Sequence, residues 1–430
     1  MHLKYGYNSL AFFLEDKPAC QISAELPQKI LLHRIGLETP WGWLRGLDLC
    51  TRERKMKYFN MRTTLGALAA CVALPAFAQD LPQTMVWTSY DVGSAGYAEA
   101  SAIADAFGKE FGTRVRIQPS GSGIGRLQPL LQGRADYAFL ATEAFFLGEG
   151  AYDFAKPDWG PHQLRAVAGR PAGITLIAAG DAGIATVADA KGKRIAFVAG
   201  NPSVNVKCEA ILAFGGLTLD DVEVVMFPTY SAAMSSMTRN EADATCTTPT
   251  TSQLYELAES PRGIQYAPLE ADNKEGWDKL LKVLPIMSPS DEDVAAGLAE
   301  GEIAKMAAYR YPVITTTDEK SADDVYAFIK ALDETYDLYK DGTAAMSRWS
   351  LDKSGRPAID IPFHEGAVRY LREIGVWTDE DEAWNQNRMA RMDALTAAWE
   401  EFHSANSGMS EEEYSEAWMK RRGEVIASLK

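Results

Sequence analysis

From about residue 83 the spacing of apolar and polar positions alternates between periods of two and of nearly four, the pattern of strands followed by helices. Residues 84–89 read as a strand. Residues 96–111 read as a helix with Ala100, Ile103, Ala104, Phe107 and Phe111 on one face, and 115–118 as the next strand. A helix over 127–131 ends at Gly133, and the strand 137–140 leads into Thr142 and Glu143. A second series repeats the alternation, with strands at 174–178, 195–199, 222–227, 243–247 and 263–266. Its helices are a short one capped by Thr186, one through Glu209 and Leu212 to Gly215, a polar one near Met234 and one around Tyr255. Residues 311–315 read as a strand returning to the first series. Val325, Phe328, Ile329, Leu332, Tyr336 and Tyr339 then fall at helical spacing, as core packing requires. Residues 367–374 are helical, and from Asp379 the chain is acidic, rich in Trp and Met, and helical. Trp384, Met389, Met392, Leu395 and Trp399 form a stripe expected to pack on the body, and Ser410 with Glu413 makes a capping box for the last helix.

The chemistry sits at the joints of this pattern. Pro119-Ser120-Gly121-Ser122-Gly123-Ile124-Gly125-Arg126 joins a strand to a helix, as do Gly93-Ser94-Ala95-Gly96-Tyr97 and Asn201-Pro202-Ser203-Val204-Asn205. Such turns present unpaired N–H groups and the positive helix end to an anion, although turn geometry alone explains them equally well. The first loop has Arg126 where a dinucleotide fingerprint needs its last glycine. Neither Ser120 nor Ser122 has the flanking glycines of a nucleophile elbow. Three successive strand ends carry Ser89 and Tyr90, Ser120 and Ser122, Thr142 and Glu143, and ligands of open α/β sheets sit at such ends. The expected product is two lobes, each with a strand-loop-helix pocket.

Composition changes this picture in three places. The 430 residues are 47% hydrophobic and 24% charged, an ordinary globular balance with length for two or three domains. Lys55, Lys57 and Arg62, the apolar run 65–74 and Ala76-Phe77-Ala78 form a secretory leader over 56–78, too short to span a membrane. The reading is therefore periplasmic, with residues 1–55 either an upstream start wrongly included or an extension. Lipid anchoring at Cys71 is the lesser alternative. The formal net charge is −16, and loss of residues 1–78, which carry ten Lys/Arg and six Asp/Glu, makes it more negative. Such a surface opposes nucleic acid and anionic membranes. Cys208 and Cys246 survive processing and form either a disulfide or two buried thiols. His162, His364 and His403 are isolated, so no metal or other cofactor is expected.

With these segments placed, residues 83–375 resemble the TAXI family of solute receptors for tripartite ATP-independent periplasmic (TRAP) transporters. The resemblance is carried by 93–97, 119–123, Leu131-Gln132-Gly133-Arg134-Ala135-Asp136, Leu164-Arg165-Ala166, 188–194, 209–212, 216–221, Asp243-Ala244 and His364-Glu365-Gly366-Ala367-Val368-Arg369-Tyr370. It implies an α/β, two-lobed, type II-like periplasmic-binding-protein fold with a helical C-terminal extension. Lobe 1 would comprise 79–170 and 313–378, lobe 2 171–285, with a crossing at 286–312 and the extension at 379–430. It also implies a monomer, not an enzyme, that hands a small organic anion, an amino acid or carboxylate, to the integral-membrane subunits of a TRAP transporter. Where that family has Gly-Ser-Gly-Thr-Arg this chain has 201–205, so a usual arginine is missing. Arg126 or Arg170 would supply the cation unless paired with acids, and Lys207 is a third candidate. The expected ligand wall comprises Ser89, Tyr90, Ser94, Tyr97, Ser120, Ser122, Arg126, Thr142, Glu143 and Arg170, covered by Ser203, Asn205 and Thr248, with hinges near Arg170 and Val313. The alternatives are a receptor of another importer class and a secreted hydrolase or transferase. The latter would need a base beside a nucleophile, for which only Glu143 beside Ser120 and Ser122 offers itself.

Overall fold

The computed structural model describes residues 81–429 except 358, 359 and 407; the expected leader, Cys71 and the segment before it lie outside the described residues. The chain opens with β1 (Thr84–Ser89), α1 (Ala95–Phe111), β2 (Arg114–Pro119), α2 (Gly123–Leu131), β3 (Tyr137–Leu140) and α3 (Glu143–Gly148). Strand β4 (Leu164–Ala179) leads into β5 (Arg194–Val198), α4 (Pro202–Phe214), β6 (Glu223–Phe227), α5 (Tyr230–Ser236) and β7 (Ala244–Thr247). Then come α6 (Ser252–Glu259), β8 (Ile264–Tyr266), α7 (Lys274–Val283) and β9 (Ser288–Glu292). After β10 (Ala304–Thr317) the chain is helical: α8 (Ala322–Glu334), α9 (Tyr336–Tyr339), α10 (Leu351–Ser354), α11 (Glu365–Glu373), α12 (Asp379–Asn406) and α13 (Glu411–Ser428).

The strands form one sheet in the order β2-β1-β3-β10-β4-β7-β5-β6, with β8 on β4 and β9 on β10. In lobe 1, β1 pairs in parallel with β2 and β3, and β10 runs antiparallel to β3. In lobe 2, β5 pairs in parallel with β6 and β7, and β4 runs antiparallel to β7. Strands β4 and β10 are long enough to belong to both lobes. They pair from Thr317 with Leu164 to Ala307 with Ile174, and their register shifts between Arg310 and Val313 at the lobe border. The structure thus has the two-lobed α/β arrangement with a helical C-terminal extension. Residues 286–312, expected as a crossing, supply β9 and the first part of β10. The polar Ser288–Glu292 is held extended because its backbone pairs with 304–308.

Helix starts follow the local chemistry. Ser94, Ser122 and Asn201 cap α1, α2 and α4 with side-chain oxygens that accept from Tyr97, Gly125 and Val204 N–H, and Pro202 takes the first helical position, where no N–H is needed. Lobe 1 is centred on Trp87, whose ring lies 5.6 Å from Phe107 and Phe139 and 5.5 Å from Phe328. In lobe 2, Cys208 on α4 and Cys246 on β7 form a disulfide, which closes the choice left open by the sequence. The helical stripe packs as expected: Met392, Leu395 and Trp399 are buried, and Tyr414 and Trp418 of α13 close over Trp399. Buried Glu149 ties both terminal helices to lobe 1 by accepting from Arg388 (3.3 Å), Arg391 (2.7 Å) and Arg422. No helix among the described residues is long and apolar enough to cross a membrane.

Candidate functional site

The lobes meet along the glycine-rich turns. Gly123 N–H donates to the Gly200 carbonyl (3.0 Å), Ser231 N–H to Asp91 Oδ2 (2.9 Å), Ser231 Oγ to the Val92 carbonyl (3.2 Å) and Ser252 Oγ to the Gly93 carbonyl. Gly121 is needed here, since a Cβ at that position would lie 2.9 Å from Thr229 Cβ across the cleft. Behind these contacts is a cavity of about 10 Å³ between the lobes. It is lined by Tyr90, Ala141, Ile174, Tyr309 and Tyr311 together with Asn201, Ser203, Val204, Lys207, Tyr230, Thr247 and Thr248. A larger hollow of about 560 Å³ lies beside α11 and α12, but its arginines are paired: Arg372 with Glu382, Arg369 with Asp323 and Arg165 with Asp318. The interlobe cavity is the stronger candidate because buried, unpartnered polar groups face it.

Of the residues expected from sequence, Tyr90, Ser203 and Thr248 line the cavity. Others at the cleft serve the backbone. Ser89 Oγ donates to the Gly96 carbonyl, Ser94 and Ser122 are helix caps, and Ser120 Oγ accepts from Ser122 N–H. The Asn205 side chain both accepts from and donates to Val198, copying a strand pairing. Tyr97 is half-buried outside the cavity wall.

The two arginines expected to face the ligand are each held by a buried acid, and of their donors Arg126 Nε has no partner. Arg126 is 0% exposed; its Nη2 donates to Glu143 Oε1 (2.7 Å), its Nη1 to the Ser120 carbonyl (2.9 Å), and its guanidinium lies 3.8 Å from the centre of the Tyr90 ring. Burial pushes the Glu143 carboxyl up, but the charge and hydrogen bond of Arg126 outweigh it and hold the group below the usual carboxylate range. Glu143 is therefore bonded to a guanidinium, and neither Ser120 nor Ser122 has it as a base. Arg170 grips Glu99 through Nε (2.7 Å) and Nη2 (2.5 Å), and Trp349 Nε1 donates to the same carboxylate (2.7 Å). Arg170 meets Glu99 in a buried fork and Arg126 meets Glu143 through a single Nη2 contact, and such buried pairs carry geometry more than free charge.

The cation left facing the cavity is Lys207, one turn inside α4. Its Nζ donates to Ser203 Oγ (2.9 Å) and Thr142 Oγ1 (3.4 Å) and lies 4.1 Å from the centre of the Tyr309 ring. Among the described residues it has no carboxylate within ion-pair distance. Burial pulls its pKa down to about 8, against the opposing pull of Glu143 and Asp360, so it is mainly an ammonium at neutral pH. Asp360, behind it, is pushed up to about 6 by burial. Sequence reading missed Asn201, Tyr230, Tyr309 and Tyr311. The Tyr309-Arg310-Tyr311 alternation would have placed both tyrosines on one strand face had the strand been drawn four residues earlier. No group of residues suited to a metal occurs among the described residues.

Comparison with solved structures finds distant likenesses to this chain. It is similar to the periplasmic aliphatic sulphonate binding protein SsuA from Escherichia coli, at 17% identity over 62% of this chain and 79% of that one, with a TM-score of 0.38. It is similar to an ABC transporter periplasmic binding protein from Brucella ovis with glutathione bound, at 12% identity over 61% and 70%, TM-score 0.38. A Bordetella bronchiseptica RB50 protein matches at 16% identity over 70% and 92%, TM-score 0.41. These values carry no argument about a ligand. A family model covers residues 91–375, and its description names neither TAXI receptors nor tripartite transporters. The chain belongs to the NMT1-like family.

Proposed function

We propose that this protein is an extracytoplasmic receptor that holds a small organic anion between its lobes and delivers it to a membrane importer. The observation that supports this most is Lys207: a buried ammonium on the cavity wall that has hydroxyls but no carboxylate beside it. Glu143 and Asp360 act on it only from beyond ion-pair distance, and the carboxylate of a solute would offset the remaining cost of burial while gaining a charge-assisted hydrogen bond. The amino end of α4, capped by Asn201, adds its dipole in the same place. The solute enters when the lobes part about β4 and β10 and is held as they approach again; with Gly123 on Gly200 and Ser231 on Asp91 the cavity of about 10 Å³ has room for about one water, so the lobes stand further apart around a bound solute.

A thermal-shift screen of the exported protein against organic acids, amino acids and matched neutral amides tests this, because a ligand of the folded state raises the melting temperature. Organic anions are expected to raise it and Lys207→Met to remove most of the rise; shifts from neutral solutes alone would overturn the reading. The importer is either the tripartite carrier named by the sequence resemblance or an ATP-driven one. Uptake in reconstituted vesicles separates them: the first stops when the ion gradient is collapsed, the second when ATP is withdrawn.

A further inference from the structure

The inventory of the cavity wall narrows the solute, on the basis of the receptor reading above. We infer that the ligand is a monocarboxylate whose uncharged body accepts hydrogen bonds, and is neither an amino acid nor a dicarboxylate. One cation lines the cavity and no acid does. An α-ammonium brought into this space would lose its water and meet no carboxylate on the wall. Glu143 and Asp360 each keep one oxygen without a partner, yet neither is part of the lining, and Glu143 already holds Arg126. A second carboxylate on the solute would in turn meet no second cation, since Arg126 and Arg170 are bonded to Glu143 and Glu99. A single carboxylate matches what is offered. An ammonium has three donors, and Lys207 uses two of them on Ser203 and Thr142.

The rest of the wall describes the body. Tyr90 Oη, Tyr311 Oη and Asn201 Nδ2 have no hydrogen-bond partner although their residues are only 3%, 4% and 1% exposed, and all three residues line the cavity. The Asn201 amide nitrogen can only donate, and both phenols can donate. Ala141, Ile174 and Val204 supply apolar surface between them. A 2-oxo or 2-hydroxy acid gives these donors an oxygen to bond, whereas a plain alkyl acid leaves them buried and unpaired.

Calorimetric titration of the native protein with matched probes on a short-chain and a phenyl scaffold tests the inference. The probes are 2-oxobutyrate and phenylpyruvate, the zwitterions 2-aminobutyrate and phenylalanine, the diacid 2-oxoglutarate, the acceptor-free butyrate and 3-phenylpropionate, and the neutral 2-oxobutyramide. An oxo monocarboxylate is expected to bind tighter than each counterpart by roughly tenfold or more. In Tyr90→Phe/Tyr311→Phe its advantage over the acceptor-free acid should shrink to about threefold or less. Lys207→Met should weaken both acids about tenfold or more while Lys207→Arg retains them, with the unliganded melting temperature checking that each variant folds. Tighter binding of an amino acid or of 2-oxoglutarate overturns this inference and leaves the receptor reading standing, as does an undiminished advantage in the double variant. If none of the anionic probes binds, the receptor reading itself is overturned and this one with it.

Discussion

At Arg126 a charge that ends a glycine-rich loop is spent on holding that loop in place, through the Ser120 carbonyl on one side and Glu143 on the other. Arg126→Ala leaves the Glu143 carboxylate buried with no counter-charge. It is expected to lower stability in urea denaturation at neutral pH by about 3–5 kcal/mol, and replacing both partners, as in Arg126→Met/Glu143→Leu, to recover much of that loss. A loss below about 1 kcal/mol for the single change would show that Glu143 behaves as a surface group. The sequence marked Arg126 and Arg170 as cations near the cleft and left open whether acids held them. Their partners, Glu143 and Glu99, stand 17 and 71 residues away, a pairing that only the sheet order brings about. Lys207 was visible as a candidate because it follows the turn at Asn201 by helical spacing, but that no carboxylate comes within ion-pair distance of it among the described residues could not be read from neighbours in the chain.

Among elements, the short parallel strands and the helices capped by Ser94, Ser122 and Asn201 were legible because alternation and capping act over a few residues. The long strands were not. Residues 174–178 and 311–315 read as short strands, yet β4 and β10 extend well before them, through Arg170-Pro171 and Tyr309-Arg310, since each lends its backbone to the other on both sides of the register shift. The terminal helices were foreseen as packing on the body, and what fixes them is Glu149, shared by Arg388, Arg391 and Arg422. Glu149→Gln leaves three guanidinium groups around a neutral amide. It is expected to cost about 3–5 kcal/mol and to raise amide hydrogen exchange in α12 and α13 well above that in β1 and β3. Equal protection of the helices in the variant and the parent would show that the Trp399, Tyr414 and Trp418 cluster holds the extension without the charges.

For the whole molecule, the proposed function depends on two lobes approaching to within backbone contact, and Gly121 stands where they come closest to Thr229. Gly121→Val places methyl groups where Thr229 stands and is expected to hold the lobes apart. Small-angle scattering with saturating ligand should then show a larger radius of gyration than for the parent, and affinity should fall by about tenfold or more as the closed population shrinks. An unchanged radius and affinity would mean that closure stops short of this contact. If the protein is the receptor proposed above, the disulfide adds a consequence for where it can be made. Cys208 adjoins Lys207, and Cys246 adjoins Thr247, which Thr248 follows, so the crosslink joins α4 and β7, two of the elements that carry lobe 2's part of the cavity lining. Such a bond forms in oxidising compartments and stays open in a reducing cytoplasm. A chain retained at its site of synthesis would keep that wall in two unlinked pieces, and competence to bind would be acquired only after export, on the side of the membrane where the solute is found.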